Sequence, residues 1–126
     1  MNKQTLNTQN APAAIGPYSQ GVKVGNLIFT SGQLPINAQS GELVPDIEGA
    51  TKQSLDNVKA ILEASGSSLA NVVKTVVFLR DMNDFAAMNA VYATYFPNNP
   101  PARSAVQVAR LPKDAIVEIE AIALAE

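Results

Sequence analysis

Arg103, Glu118 and Glu120 are the residues whose type and spacing best suit them to chemistry. Arg103 follows Pro100 and Pro101 in PPARSAVQVARLP. Proline fixes its own φ and cannot donate to a β ladder, so the backbone leading into the arginine is restricted. A guanidinium held in advance can grip a carboxylate or phosphate through a bidentate pair with less ordering cost. An exposed strand-end arginine with a structural partner would read the same way. Glu118 and Glu120 stand two apart in VEIEAIAL, so on a strand they share one face while Val117, Ile119 and Ala121 share the other. Two carboxyl groups on one face suggest an acid and a base, although a merely wet sheet face gives the same pattern. Ile122 and Leu124 continue the glutamate face, which implies partial cover, and a partner subunit is one source of it.

The chain of 126 residues has no histidine and no cysteine. That removes a Ser-His-Asp triad, a thiolate nucleophile, an imidazole base, disulfides and any ordinary zinc site. No glycine-rich phosphate loop is present either. Any catalysis must therefore come from Arg, Lys, Asp, Glu, Tyr, Ser and backbone amides. Net charge is −2 and the basic residues are scattered singly, so the positive stripe that binds nucleic acid is missing. Neither a secretory leader nor a membrane span is apparent, and a cytoplasmic protein is expected.

Three further residues are weaker candidates. Tyr18 leaves a proline turn and has a hydroxyl to offer. Ser31 in TSGQ has no activating base, which leaves it as a hydrogen-bond donor rather than a nucleophile. Asn89 sits in the middle of a helical stretch, where asparagine is mildly unfavourable. Arg110 and Lys113 flank a turn and read as solvated.

The elements that must position these groups follow from periodicity and breakers. A short strand is expected near Gln4 to Leu6, then a loop through NAPAAIGPYSQG, where Pro12, Gly16 and Pro17 interrupt pairing. GVKVGNLIFTSG predicts a hairpin about Gly25-Asn26, its second run being Leu27 to Ser31. Asp46 is placed to cap a helix running to about Ala64, with Gly66 beyond its end and Leu55, Val58, Ile61 and Leu62 as its core stripe. Val72 to Arg80 is β-branched and continuous, hence a buried strand. Asn83 or Asp81 can cap a helix over about Asp84 to Phe96, with Phe85, Met88, Val91, Tyr92 and Tyr95 as its apolar stripe. Strands are expected over Ser104 to Ala109 and Ile116 to Leu124. The sum is a single α+β domain spanning 1–126, with a mixed sheet and two helices packed on one face.

Read in order, APAAIGPYSQG, FTSGQLP, SLDNVKAILEASG, VFLRDMNDFAAMN and PARSAVQVARLPKDAIVEIEAIAL resemble the RidA family, also called YjgF, of reactive enamine/imine deaminases. The likeness runs from about Asn10 to Leu124, and its last block is long and specific. It implies a chorismate-mutase-like α+β fold assembled as a homotrimer, with clefts at the subunit interfaces. By position, it implies that Arg103 binds the substrate carboxylate and that Glu118 positions or activates water. It also implies that Tyr18, Ser31 and Asn89 line or support the cleft. Ala105 is a departure, because many members carry cysteine there, and only its backbone N–H remains to help hold a carboxylate.

The reaction so implied is hydrolytic deamination of 2-aminoacrylate and 2-aminocrotonate, or their imines, to 2-keto acids and ammonia. These compounds escape from pyridoxal-phosphate dehydratases, but the protein itself would need neither that cofactor nor a metal. Two alternatives stand beside it. One is a binding module that holds a small 2-keto acid and reports it without important turnover. The other is RNA cleavage or translation inhibition, against which the acidic balance and the missing histidine argue.

Overall fold

Side-chain alternation along the strands divides the molecule into a helix-covered face and an open face, and nearly every candidate residue can be assigned to one of them. The computed structural model describes residues 2–126. Its sheet has six strands: β1 Lys3–Leu6, β2 Gly21–Val24, β3 Leu27–Thr30, β4 Val72–Leu79, β5 Ala102–Gln107 and β6 Val117–Leu124. They lie in the order β1-β2-β3-β6-β4-β5, and only the β4–β5 pair is parallel. A parallel pair cannot be joined by a tight turn, and here α2, Phe85–Tyr95, makes the crossover. The β2–β3 hairpin closes through Gly25-Asn26, where Gly25 at φ 56 supplies the positive φ that a two-residue turn needs at its first central position.

The long helix α1, Ile47–Ala64, starts and stops where its sequence signals lie. The Asp46 carboxylate accepts the Gly49 N–H at 2.8 Å, and Gly66 beyond the last turn takes φ 86. Leu55, Val58, Ile61 and Leu62 are all buried, packed with Val77, Leu79, Val117 and Ile119 from the sheet. Each such side chain contributes about 1.5–3 kcal/mol by leaving water, which fixes α1 over the centre of the sheet.

No helix covers the other face. The strand registers place Val22, Val24, Phe29, Val76, Phe78, Val106 and Ile122 there, beside Glu118 and Glu120. Phe29 remains 38% exposed and Val106 44% exposed. A wet antiparallel face normally alternates to polar residues, and this open face carries a run of apolar ones instead.

Two boundaries differ from the sequence-based expectation. The fifth strand runs from Ala102 to Gln107 rather than from Ser104 to Ala109, because pairing with β4 begins at Lys74↔Ala102, directly after the prolines. Arg103 is thus inside the strand, not at its mouth. The second helix is preceded by a short 3-10 turn over Met82–Asp84, capped by the Asp81 carboxylate, which accepts the Asn83 N–H at 2.9 Å. Asn83 is therefore capped and does not itself cap. Among the described residues no helix is long and apolar enough to cross a membrane.

Candidate functional site

Arg103 lies on the helix-covered face at the sheet edge. Its register partner is Thr75, whose side chain is buried against α2, so Arg103 points the same way. Its Nη1 donates to Asn89 Oδ1 at 2.7 Å, and its Cζ stands 4.7 Å from the Tyr92 ring centroid and 5.4 Å from that of Phe85. All three partners come from α2 and all are neutral. Among the described residues the two salt bridges are Lys52–Asp56 and Arg110–Asp114, and neither involves Arg103. The guanidinium is oriented without being neutralised, which leaves its charge for an external anion.

The backbone beside it is also free. β5 is an edge strand, and Val108 N–H donates to Leu79 O of β4. Alternation then turns the N–H groups of Arg103 and Ala105 away from β4, toward the open edge. A carboxylate arriving there meets backbone donors as well as the guanidinium.

Glu118 occupies the opposite face and different surroundings. It borders a cleft of about 780 Å³ with Tyr18, Ser31, Gly32, Leu34 and Lys113. Burial raises the Glu118 pKa above the ordinary carboxyl value, and the like charge of Glu120 adds to the rise. No side-chain hydrogen bond to Glu118 is made among the described residues. Gly32 leaves the room that the Glu118 carboxylate occupies, because a Cβ on it would overlap Glu118 Oε2 and push the carboxylate aside. The cause is a bulge: β3 and its extension take four residue steps from Phe29 to Gln33, while β6 takes three from Ile122 to Ile119. The extra residue breaks the ladder beside Glu118 and lets the 31–32 backbone approach it.

Ser31 is a hydrogen-bond donor, and its acceptor lies within the chain. Its hydroxyl donates to Ser19 O at 2.5 Å, so its proton is committed and its lone pairs face the cleft as acceptors. Tyr18 is 53% exposed and Ile15 82% exposed, both on the loop that walls this cleft. Arg110 is held by Asp114 at 2.8 Å on the surface, as a turn residue.

The candidates therefore fall into two groups that one chain does not bring together. Arg103, Asn89 and Ala105 lie on the helix side of the edge strand, and Tyr18, Ser31 and Glu118 lie around a cleft on the open side. Several residues that build these groups were not legible in the sequence. Gln20 is buried and its side-chain amide bonds Thr8, Ala11 and Pro12, fixing the loop that carries Tyr18. Asn57 reaches from α1 to Leu34 O and Ile36 O, fixing the other wall. Lys113, expected to be solvated, lines the cleft at φ 59. Phe85 and Tyr92 were readable as a core stripe, but nothing in the stripe marks them as the platform for Arg103.

A family model described as Endoribonuclease L-PSP matches residues 8–125. The chain belongs to this family, the RidA/YjgF family. Its RidA relatives include the 2-iminobutanoate/2-iminopropanoate deaminase of Escherichia coli, 56% identical over 96% of this chain and 97% of that protein. A RutC family protein of Pyrococcus horikoshii is 58% identical over 98% of this chain and 99% of its own length. Among solved structures, Escherichia coli TdcF with bound serine superposes with a TM-score of 0.93 at 51% identity, covering 96% of this chain and 98% of that one. The six-stranded mixed sheet with two helices is thus the RidA fold.

Proposed function

We propose that this RidA protein is a 2-iminobutanoate/2-iminopropanoate deaminase whose active site forms between subunits of a chorismate-mutase-like homotrimer in the cytoplasm. The observation that carries the proposal is the division of the candidate residues: an unneutralised Arg103 on one face and Glu118 in an open cleft on the other. A second copy seated on the apolar open face supplies the missing half of each site. Near-full-length identity to the Escherichia coli deaminase supports the chemistry.

In that site Arg103 and the outward N–H groups of β5 hold the substrate carboxylate. Glu118 of the adjoining subunit takes a proton from water as the water oxygen bonds to the imine carbon. The C=N π pair moves onto nitrogen, which receives the proton that Glu118 took from water, and Ser31 accepts a hydrogen bond from that N–H. The carbinolamine then passes its hydroxyl proton, by way of Glu118, to the amine nitrogen; the C–N bond breaks to release ammonia as the C=O bond forms, leaving a 2-keto acid. Positioned acid–base catalysis supplies on the order of a hundred- to ten-thousandfold, which suits a reaction that already proceeds in water. A carboxyl pKa raised by burial makes Glu118 a stronger base than an exposed carboxylate once ionised, and a guanidinium brought near it favours that ionised form.

RNA cleavage, which the description of the family model invites, finds little support in a chain of net charge −2 without histidine. The test is keto-acid release from enzymatically generated 2-aminoacrylate. Arg103→Ala should abolish pyruvate binding and leave only residual turnover, whereas Glu118→Gln should keep binding and lower kcat. Each is expected to be nearly inactive alone, yet random mixing of the two subunits should rebuild about a quarter of the sites, since each site takes one residue from each of two neighbours. No regain on mixing would place both residues in one chain and overturn the shared site; pyruvate binding without acceleration by the wild type would favour the binding module.

A further inference from the structure

An arginine between two rings and an amide is only as well placed as the rings themselves, and the two rings are not equally fixed. Phe85 begins α2 and is partly exposed, with no polar group to orient it. Tyr92 is two turns further on, 5% exposed, and its ring packs on Phe96 at 4.7 Å between centroids. Its hydroxyl meets Thr75 Oγ1 at 2.6 Å. Thr75 is 1% exposed and is the β4 residue in register with Arg103 itself. One hydroxyl pair therefore links the strand neighbour of Arg103 to the ring nearest its guanidinium.

We propose that Tyr92, keyed by Thr75, is a positioning residue that sets the direction of the Arg103 guanidinium toward the incoming carboxylate. The proposal rests on Arg103 being the carboxylate clamp. Three features favour it over a purely structural role for the pair. A phenol packed by its ring needs only one hydrogen-bond partner, and a core phenylalanine would need none, so a hydroxyl pair in this layer serves to fix ring orientation. The ring is the nearer of the two to the guanidinium, 4.7 Å against 5.4 Å. Burial raises the Tyr92 pKa, outweighing the lowering by the Thr75 hydrogen bond and by Arg103. The phenol thus stays neutral beside a cation and offers a face, not a counter-ion, so the positive charge remains available.

Tyr92→Phe keeps the ring and removes its key; Thr75→Val removes the same key from the other side. In each variant KM for the imine and Kd for pyruvate are expected to rise about three- to tenfold, with kcat within about twofold of wild type. The double variant should be no worse than either single one, because both remove one interaction. Thr75→Ser, which restores a hydroxyl at the same place, should return KM to the wild-type value. In an Arg103→Ala background Tyr92→Phe should change nothing further in the residual activity. If Tyr92→Phe does not fold, Thr75→Val and Thr75→Ser carry the test by themselves. Unchanged KM and pyruvate Kd, with kcat falling only as the folded fraction falls, would make Tyr92 a core residue and overturn the proposal. Pyruvate binding that survives Arg103→Ala would instead overturn the clamp on which it rests, so the two failures are distinguishable.

Discussion

The surroundings of Arg103 are a strand and a helix, whereas those of Glu118 are loops at a bulge. On the first side the hydrogen bond and both ring contacts of the guanidinium come from α2, whose own position is fixed by packing against the sheet and α1. On the second, the walls around Glu118 are irregular segments tied down by single amide side chains, Gln20 and Asn57. A ligand group that is common to all substrates calls for the rigid side, and the part that varies calls for the adaptable one. The electrostatics differ in the same sense. Arg103 is held by neutral groups and keeps its charge, while burial penalises the charge of Glu118. In the proposed shared site each half supplies what the other lacks.

The sharpest way to break this contrast is to neutralise the rigid half from within. Asn89→Asp places a carboxylate 2.7 Å from Nη1, where the amide oxygen now sits. The resulting intramolecular ion pair should lower kcat/KM by about a hundredfold or more, almost wholly through KM. Asn89→Ser, which stays neutral, should lose far less. Steady-state kinetics with both variants decides the matter, and a wild-type KM in Asn89→Asp would mean that the neutrality of the holder is irrelevant.

The corresponding perturbation of the loop side is Gly32→Ala. The new methyl group meets the far end of a flexible side chain rather than backbone, so the fold should survive while the Glu118 carboxyl swings away. A loss of roughly ten- to a hundredfold is expected in kcat with KM nearly unchanged, the signature of a displaced base rather than a lost grip. The two halves would then fail in different constants. Equal effects on KM from both substitutions would erase the distinction between them.

How much of this was readable beforehand depended on the range of the interaction. The α1 boundaries were legible because a cap and a positive-φ glycine act within a few residues, and Asp46 and Gly66 are both in place. The shared face of Glu118 and Glu120 was legible because strand alternation is strictly local. The start of β5 was not, since it depends on where Lys74 pairs, far away in sequence. Nor were the platform under Arg103 and the tethers Gln20 and Asn57, for a buried glutamine and a surface one look alike until the loop they hold is known. Ser31 was legible as a donor, but its acceptor, Ser19 O, was not, because it lies across a loop. The bulge that brings Gly32 onto Glu118 is a property of two strands together, and neither one alone announces it.

The smallest effect is the most direct probe of whether the halves meet. Glu118 is raised above its ordinary pKa by burial and by Glu120, so the folded chain binds its proton more tightly than the unfolded chain does. Stability from this group is therefore full below the ordinary carboxyl pKa and is lost as pH rises through the folded value. Glu118→Gln escapes that loss, so its melting temperature relative to wild type should climb as pH rises from the ordinary carboxyl pKa through the raised folded one and then level off. A neighbour's Arg103 close to the carboxyl would oppose the rise in pKa and so shrink the gain. The stabilisation by Glu118→Gln at neutral pH should thus be larger in an Arg103→Ala background than in wild type, as thermal unfolding of the four proteins would reveal. An identical gain in both backgrounds would mean that no guanidinium approaches Glu118, and the two faces of the sheet would then have to be read as separate sites.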